Sequence, residues 1–250
     1  MKGRSALPRA AFILGLVAVA AGIAGTLWGR VLLARIDFFD VRRVEVVGTR
    51  WVAPDELLRL AAINRQQSVW EDYDIVEGRL TGHPLIEEAR VHRAGLRSLR
   101  IVVRETEPLA FVGIPELRAV HADGKLLPID PRNTALDLPL LTMDAELAED
   151  SARLAEGPAL SALAVFAKLQ ELDPGLAAIV SDFSLSDEHG LEINLIASQP
   201  ARRLALPGVV DAKLAERVRA TLADLRQRGV VAESLEGRYA NIIVVRREQT

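Results

Sequence analysis

The chain has 250 residues, with 31 Lys and Arg against 34 Asp and Glu for a formal charge of −3; half of it is hydrophobic but only 4% aromatic, and it has no cysteine. That balance excludes whole-protein attraction for nucleic acid, and the missing cysteine excludes disulfides and thiolate chemistry. Stability therefore rests on aliphatic packing, and residues 36–250 suffice for one large domain or two small ones.

Residues 10–28, AAFILGLVAVAAGIAGTLW, carry no charge. As a helix they cover roughly 28 Å, close to a bilayer's hydrocarbon core. Lys2, Arg4 and Arg9 precede the run, Trp28 stands at an interfacial position, and Arg30 can snorkel to headgroups. The expectation is a single transmembrane helix over 10–33 after a short cytoplasmic tail, 1–9. A cleaved secretory signal shares the basic start, but signal cores are usually about 7–15 residues, and apolar character resumes here at Val31, Leu32, Leu33 and Ala34. Both readings export the rest of the chain. Arg30, Arg35, Arg42 and Arg43 follow the segment, so the local Lys/Arg asymmetry does not itself fix orientation.

Residues 38–47 alternate Val44 and Val46 against Arg43 and Glu45, a half-buried strand broken by Gly48. Pro54, Asp55 and Glu56 open a helix with Leu57, Leu58, Ala61 and Ala62 on its apolar face. A second helix is expected over 74–80, with Ile75, Val76 and Leu80 inward, and strands over 86–93 and 99–105. From Pro108, short strands are expected at 111–112 and 118–121, with an Asp123-Gly124 turn before Leu126 and Leu127, then an irregular stretch over 128–139. A helix over 160–172, a hairpin of 180–185 with 191–196, and a strand at 203–206 follow. The best amphipathic helix is 212–228, striped by Leu214, Val218, Leu222 and Leu225. Strands near 234–236 and 241–246 come last.

The segments FDVRRVEVVGTRWVAPDELLRLAAI and HPLIEEARVHRAGLRSLRIVVRETEPLAFV resemble the POTRA domain of the FtsQ/DivIB bacterial cell-division family. Phe39 with Val41, the Val44-Val46-Gly48 strand end, Pro84, Ala89, Val91 and Arg93, and the Ile101-Val103-Glu105-Pro108 exit carry it. Beyond them, Asp123-Gly124, Lys213-Leu214 and Arg238-Tyr239 fall at family positions, and the likeness spans 36–247. The chain departs from the family where Met143 stands in place of a glycine, and at Glu236-Gly237. The resemblance implies an α+β protein: anchor, POTRA domain over 36–107 in the order β-α-α-β-β, and a β-rich α+β domain with a long amphipathic helix over 108–250.

It further implies a non-catalytic divisome assembly protein of the plasma (inner) membrane. Its N-terminus would be cytoplasmic and its domains outside, at the septum. It would have no cofactor or metal, and its partners would be FtsB (DivIC)-like and FtsL-like single-span coiled-coil proteins. The residues add their own argument. A β-branched final strand is a candidate sheet edge able to accept a partner strand. The expected contact is Arg238, Tyr239, Asn241, Ile242, Ile243, Val244, Val245 and Arg246, with Tyr239 as aromatic anchor. The alternative is an interior strand with Tyr239 capping the core. A second contact is expected at Val41, Arg42, Arg43, Val44 and Val46, where both arginines can equally be solvated or touch acidic headgroups.

An exported hydrolase finds little support. His83, His92, His121 and His189 lack ligand spacing, and no Gly-x-Ser-x-Gly, Ser-x-x-Lys, P-loop or dinucleotide motif occurs. Glu87 and Glu88 point apart on a strand, and Glu105 and Glu107 read as solvated. A POTRA-type chaperone of envelope biogenesis remains a further alternative. One attached to a β-barrel would need many strands of about ten alternating residues, which do not follow residue 107.

Overall fold

The computed structural model describes residues 33–131, 134, 136–149, 152–186, 188, 190–239 and 242–247. They fall into two compact units divided between Thr106 and Glu107. The expected membrane segment, Leu33 apart, lies outside the described residues; among those described, no helix is long and apolar enough to cross a membrane.

The first unit is β1 (Arg43–Val47), α1 (Pro54–Ala61), α2 (Asp74–Thr81), β2 (Ile86–Arg93) and β3 (Ser98–Glu105). Its sheet has the order β1-β3-β2, with β1 parallel and β2 antiparallel to β3. Leu99, Ile101 and Val103 bury one face of β3, as their alternation requires. Leu57, Ala61, Val76 and Leu80 are buried from the helices. Ile75, expected inward, is 79% exposed. Val76 and Leu80 form the i, i+4 pair on the packed face, and at 3.6 residues per turn Ile75 falls off it. Ala62 is also exposed: it takes the left-handed cap position, φ 47°, and its N–H closes the helix onto the Leu58 carbonyl. The strand expected from residue 38 begins only at Arg43, because Asp37–Phe39 form a 3-10 turn that sets Phe39 edge-to-face on Trp70.

Gly48 leaves β1 with φ 92°, and a Cβ there would lie 2.1 Å from the Val103 carbonyl oxygen. Only glycine lets the chain cross β3 so closely. The loop beyond is held by Glu105, which is buried rather than solvated: its carboxylate accepts the N–H groups of Trp51 and Val52 at 2.8 and 3.0 Å. A register shift between Ile86 and Glu88 similarly brings both Glu87 and Glu88 to Arg104, at 3.1 and 3.3 Å, where unbroken alternation would have parted them.

The second unit contains β4 (Ala110–Ile114), β5 (Glu116–Val120), β6 (Leu126–Leu127), β7 (Leu140–Leu141), α3 (Pro158–Leu172), α4 (Pro174–Ala177), β8 (Val180–Ser186), β9 (Gly190–Leu195), β10 (Ala201–Leu206), α5 (Ala212–Arg228), β11 (Ala232–Glu236) and β12 (Val244–Arg246). They build one nine-stranded sheet in the order β12-β11-β10-β9-β8-β7-β4-β5-β6. The fold is therefore α+β, as expected. Phe166 of α3 stacks on Phe183 of β8 with centroids 4.3 Å apart. The α5 stripe is buried in the same core as Leu204, Leu206 and Leu235. Asp173, expected to end a helix, also starts the next: its carboxylate accepts the Leu176 N–H and meets Arg219 of α5 at 3.4 Å. The pair β7, unread in the sequence, joins β4 to β8 in parallel.

At the β5–β6 turn, burial alone would push the Asp123 carboxyl up. Hydrogen bonds from the His121 ring and the Lys125 N–H, with the charges of His121 and Arg153, outweigh it and hold the carboxyl below its ordinary value.

Two outcomes follow. Glu105→Ala leaves two N–H groups of the Trp51–Val52 loop unmet and should cost about 2–3 kcal/mol in denaturant unfolding; an unchanged midpoint would show water replaces the carboxylate. Because the Asp123 pKa is depressed, its stabilisation is present above the unfolded value of about 3.9 and disappears as pH falls through the folded one. The stability gap between wild type and Asp123→Asn should accordingly be full at neutral pH and close below about pH 4 in acid-unfolding curves.

Candidate functional site: the C-terminal sheet edge

An end strand carries peptide groups that must meet water or another chain. The nine-stranded sheet has two such ends, β6 and β12. Beside β6 runs residue segment 152–154: the Leu126 N–H donates to the Ala152 carbonyl, the Leu154 N–H to the Gly124 carbonyl, each at 2.9 Å, and Lys125 bridges Arg153. That end is covered. At the other, β12 pairs only with β11, through Ser234↔Arg246, Leu235↔Val245 and Glu236↔Val244. Among the described residues no segment pairs with its outer side.

The edge is fastened by a residue outside the expected set. Glu236, at the end of β11, is buried, and its two carboxylate oxygens meet separate arginines: Arg246 Nε at 2.8 Å and Arg238 Nη2 at 3.3 Å. One carboxylate thus ties both arms of the closing hairpin together. Gly237 follows, its N–H donating to the Ala205 carbonyl at 2.8 Å. A Cβ on it would come within 3.1–3.2 Å of Leu206, Leu214 and Ile243, so its bare backbone lets Ile243 reach the core. In the sequence Glu236-Gly237 stands out only as a departure from the family pattern, and nothing there pairs the acid with Arg238 and Arg246 before the hairpin closes.

Of the expected contact residues, Tyr239, Ile242, Val244, Val245 and Arg246 are exposed and Arg238 is half-buried. Ile243 turns partly inward against the core, and Asn241 lies outside the described residues. The strand is Val244–Arg246 rather than the six residues expected. In the first unit β1 is also an edge strand. Arg42 and Arg43 are exposed there, Val44 and Val46 half-buried, but the Val41 side chain is in the core, out of reach of a partner.

The outer face of the large sheet holds a shallow depression of about 560 Å³ near Ser184, Glu192, Arg203 and Glu233. Its arginines are engaged, Arg203 with Glu233 and Arg238 and Arg246 with Glu236, and Asn194 donates to Asp182. Small-molecule sites are mostly apolar and enclosed, so this is a solvated sheet face. Among the described residues no group of three or more His, Cys, Asp and Glu is arranged for a metal. His83 serves a turn, its Nδ1 accepting the Leu85 N–H, and His121 pairs with Asp123.

A small β-α-α-β-β unit followed by a β-rich α+β unit defines a POTRA-bearing protein. The family model "POTRA domain, FtsQ-type" matches residues 39–106. The chain is 29% identical to the cell division protein FtsQ of Myxococcus fulvus over 236 residues, covering 92% of this chain and 81% of that protein. It is 30% identical to FtsQ of Rhodothermus marinus over 223 residues, 85% and 80% of the two chains, and 34% identical to the cell division protein DivIB of Geobacillus kaustophilus over 125 residues, 48% of each. The chain belongs to the FtsQ/DivIB family of bacterial cell-division proteins.

Replacing Glu236 by Gln keeps the shape but leaves two guanidinium groups without their counter-charge. The expected cost is about 1–3 kcal/mol, below the fully buried range because Arg246 is solvated. Amide exchange over residues 244–246 should accelerate together with that loss; unchanged exchange would show the edge is held by other contacts.

Proposed function

We propose that this division protein is a non-catalytic assembly factor. Residues 10–33 anchor it in the plasma membrane, residues 1–9 lie in the cytoplasm, and both folded units stand outside at the septum. It captures other division proteins by strand addition at β12. The observation that carries the reading is the open outer side of β12, at the one end of the large sheet with no covering segment among the described residues. A strand laid there gains main-chain hydrogen bonds for affinity and alternate side chains for register.

The surroundings suit such a partner. Val244 and Val245 offer apolar area, and exposed Tyr239 stands beside them as an aromatic anchor. Arg238 and Arg246 share the single Glu236 carboxylate, leaving a local positive excess. A partner strand alternating apolar with acidic residues is the best complement. The partners we assign are FtsB (DivIC)-like and FtsL-like single-span coiled-coil proteins. A second contact uses the open side of β1 around Arg42, Arg43, Val44 and Val46, without the buried Val41.

Successive N–H groups of a strand point to opposite sides in the plane of the sheet. Val244→Pro and Val245→Pro therefore remove one donor facing β11 and one facing the partner. The full chain in detergent should bring down small single-span proteins from native membranes. The variant that blocks the outer side should lose binding at least tenfold, about 1.4 kcal/mol, with its unfolding midpoint kept. Retained binding in both variants moves the interface elsewhere; no small division protein bound to wild type favours the envelope chaperone.

A further inference from the structure

One end of the first unit gathers arginine and exposed apolar side chains from two separate segments. Residues 35–43 and 93–97 contain Arg35, Arg42, Arg43, Arg93 and Arg97 against Asp37 and Asp40. None of the five arginines has an ion-pair partner among the described residues. Arginines on the neighbouring sheet face do: Arg90 with Glu77, Arg100 with Glu45, Arg104 with Glu87.

The two segments form one surface. The Arg97 carbonyl accepts the N–H groups of Arg42 and Arg43 at 2.9 and 3.2 Å, and its Nε lies 3.4 Å from the Asp40 carbonyl. Phe38, Phe39 and Trp70 pack edge-to-face in series, with Arg93 3.6 Å above the Trp70 ring and Arg97 5.7 Å from Phe38. On this platform Ile36, Phe38 and the hairpin tip Leu96 are 43%, 56% and 60% exposed. Exposed apolar groups ringed by unneutralised cations match an anionic lipid surface, with apolar tips entering the headgroup layer and guanidinium groups on phosphates.

Chain length supplies the occupant. Phe38 lies ten positions beyond Trp28, which stands at the expected membrane interface. Ten residues cover about 15 Å as a helix and at most about 36 Å extended. The platform cannot stray far from the leaflet in which the anchor ends.

We propose that this end of the POTRA unit, built on Ile36, Phe38, Leu96, Arg35 and Arg42, lies on the outer leaflet of the plasma membrane and binds anionic headgroups. The contact fixes the standing orientation of the unit rather than leaving it free on its stalk. It rests on the anchor proposed above.

The absence of cysteine makes the test clean. Leu96→Cys and, as a control on an exposed helix end, Thr81→Cys are labelled with a fluorophore in the full chain, which is reconstituted into phosphatidylglycerol-containing or purely phosphatidylcholine vesicles. Quenching by nitroxide lipids should be roughly twofold or more stronger at position 96 than at 81 in anionic vesicles, and should fall in about 1 M salt, where the screening length is about 3 Å. Adding Arg35→Glu and Arg42→Glu should abolish the difference. Equal quenching at both positions, or a difference that survives the charge reversal, overturns the proposal while carbonate-resistant pelleting keeps the anchor. Release of the chain by carbonate overturns the anchor reading and the lipid contact with it.

Discussion

An open sheet has two ends, and every peptide group along each end must find a partner. The organisation of the second unit follows from that constraint. At β6 the chain meets it from within, by laying residues 152–154 along a strand of two residues. At β12 no segment among the described residues does so, and the outer side stands beside exposed valines and an aromatic residue. The asymmetry is informative because one unit handles its two ends differently. A protein under pressure only to fold and stay soluble would blunt both.

The strand addition proposed for this edge asks that it be rigid enough to template a strand and short enough not to template aggregation. Three residues with arginines around them satisfy the second need. The first falls to the Glu236 carboxylate and the Gly237 gap. A hairpin arm this short carries few ladder bonds, so its order depends on what fastens its two sides. The carboxylate ties Arg238 on one side of the turn to Arg246 on the other, and Ile243 reaches the core over a residue with no side chain. The same pairing leaves one cation in excess, so the fastening also sets the charge that a partner meets.

Much of this architecture could be read from periodicity. The helix at 212–228 has the expected bounds, and the Leu214, Val218, Leu222 and Leu225 stripe is buried. The alternation of Leu99, Ile101 and Val103 places β3 correctly. What escaped reading depends on contacts between residues far apart in the chain. Glu105 looks solvated at a strand exit, yet the loop at residues 51–52 returns its N–H groups to it. Glu87 and Glu88 alternate on paper, and only the register shift brings both to Arg104. Ile75 sits in a helix too short for its neighbours to reveal which face packs. A two-residue strand such as β7 offers no period at all. The edge at β12 was legible from β-branching, but its fastening was not, because a carboxylate between two arginines reads as surface charge until the hairpin closes.

The two units solve one problem with different means. The first has a small sheet whose outer face is laced by ion pairs from Arg90, Arg100 and Arg104, while the arginines of its end at residues 35–43 and 93–97 form no ion pair among the described residues. Solvated pairs contribute little to stability. Their effect on the sheet face is to cancel its field, leaving the other end as the cationic one. The second unit concentrates its charge at β12 in the same way, since Arg203 and Glu233 neutralise each other nearby while two arginines share Glu236. In both units, cations left over from local pairing lie on the surfaces proposed above as contacts, and backbone geometry separates the two proposals: an open strand suits a partner strand, and a platform of exposed apolar tips suits a layer of headgroups.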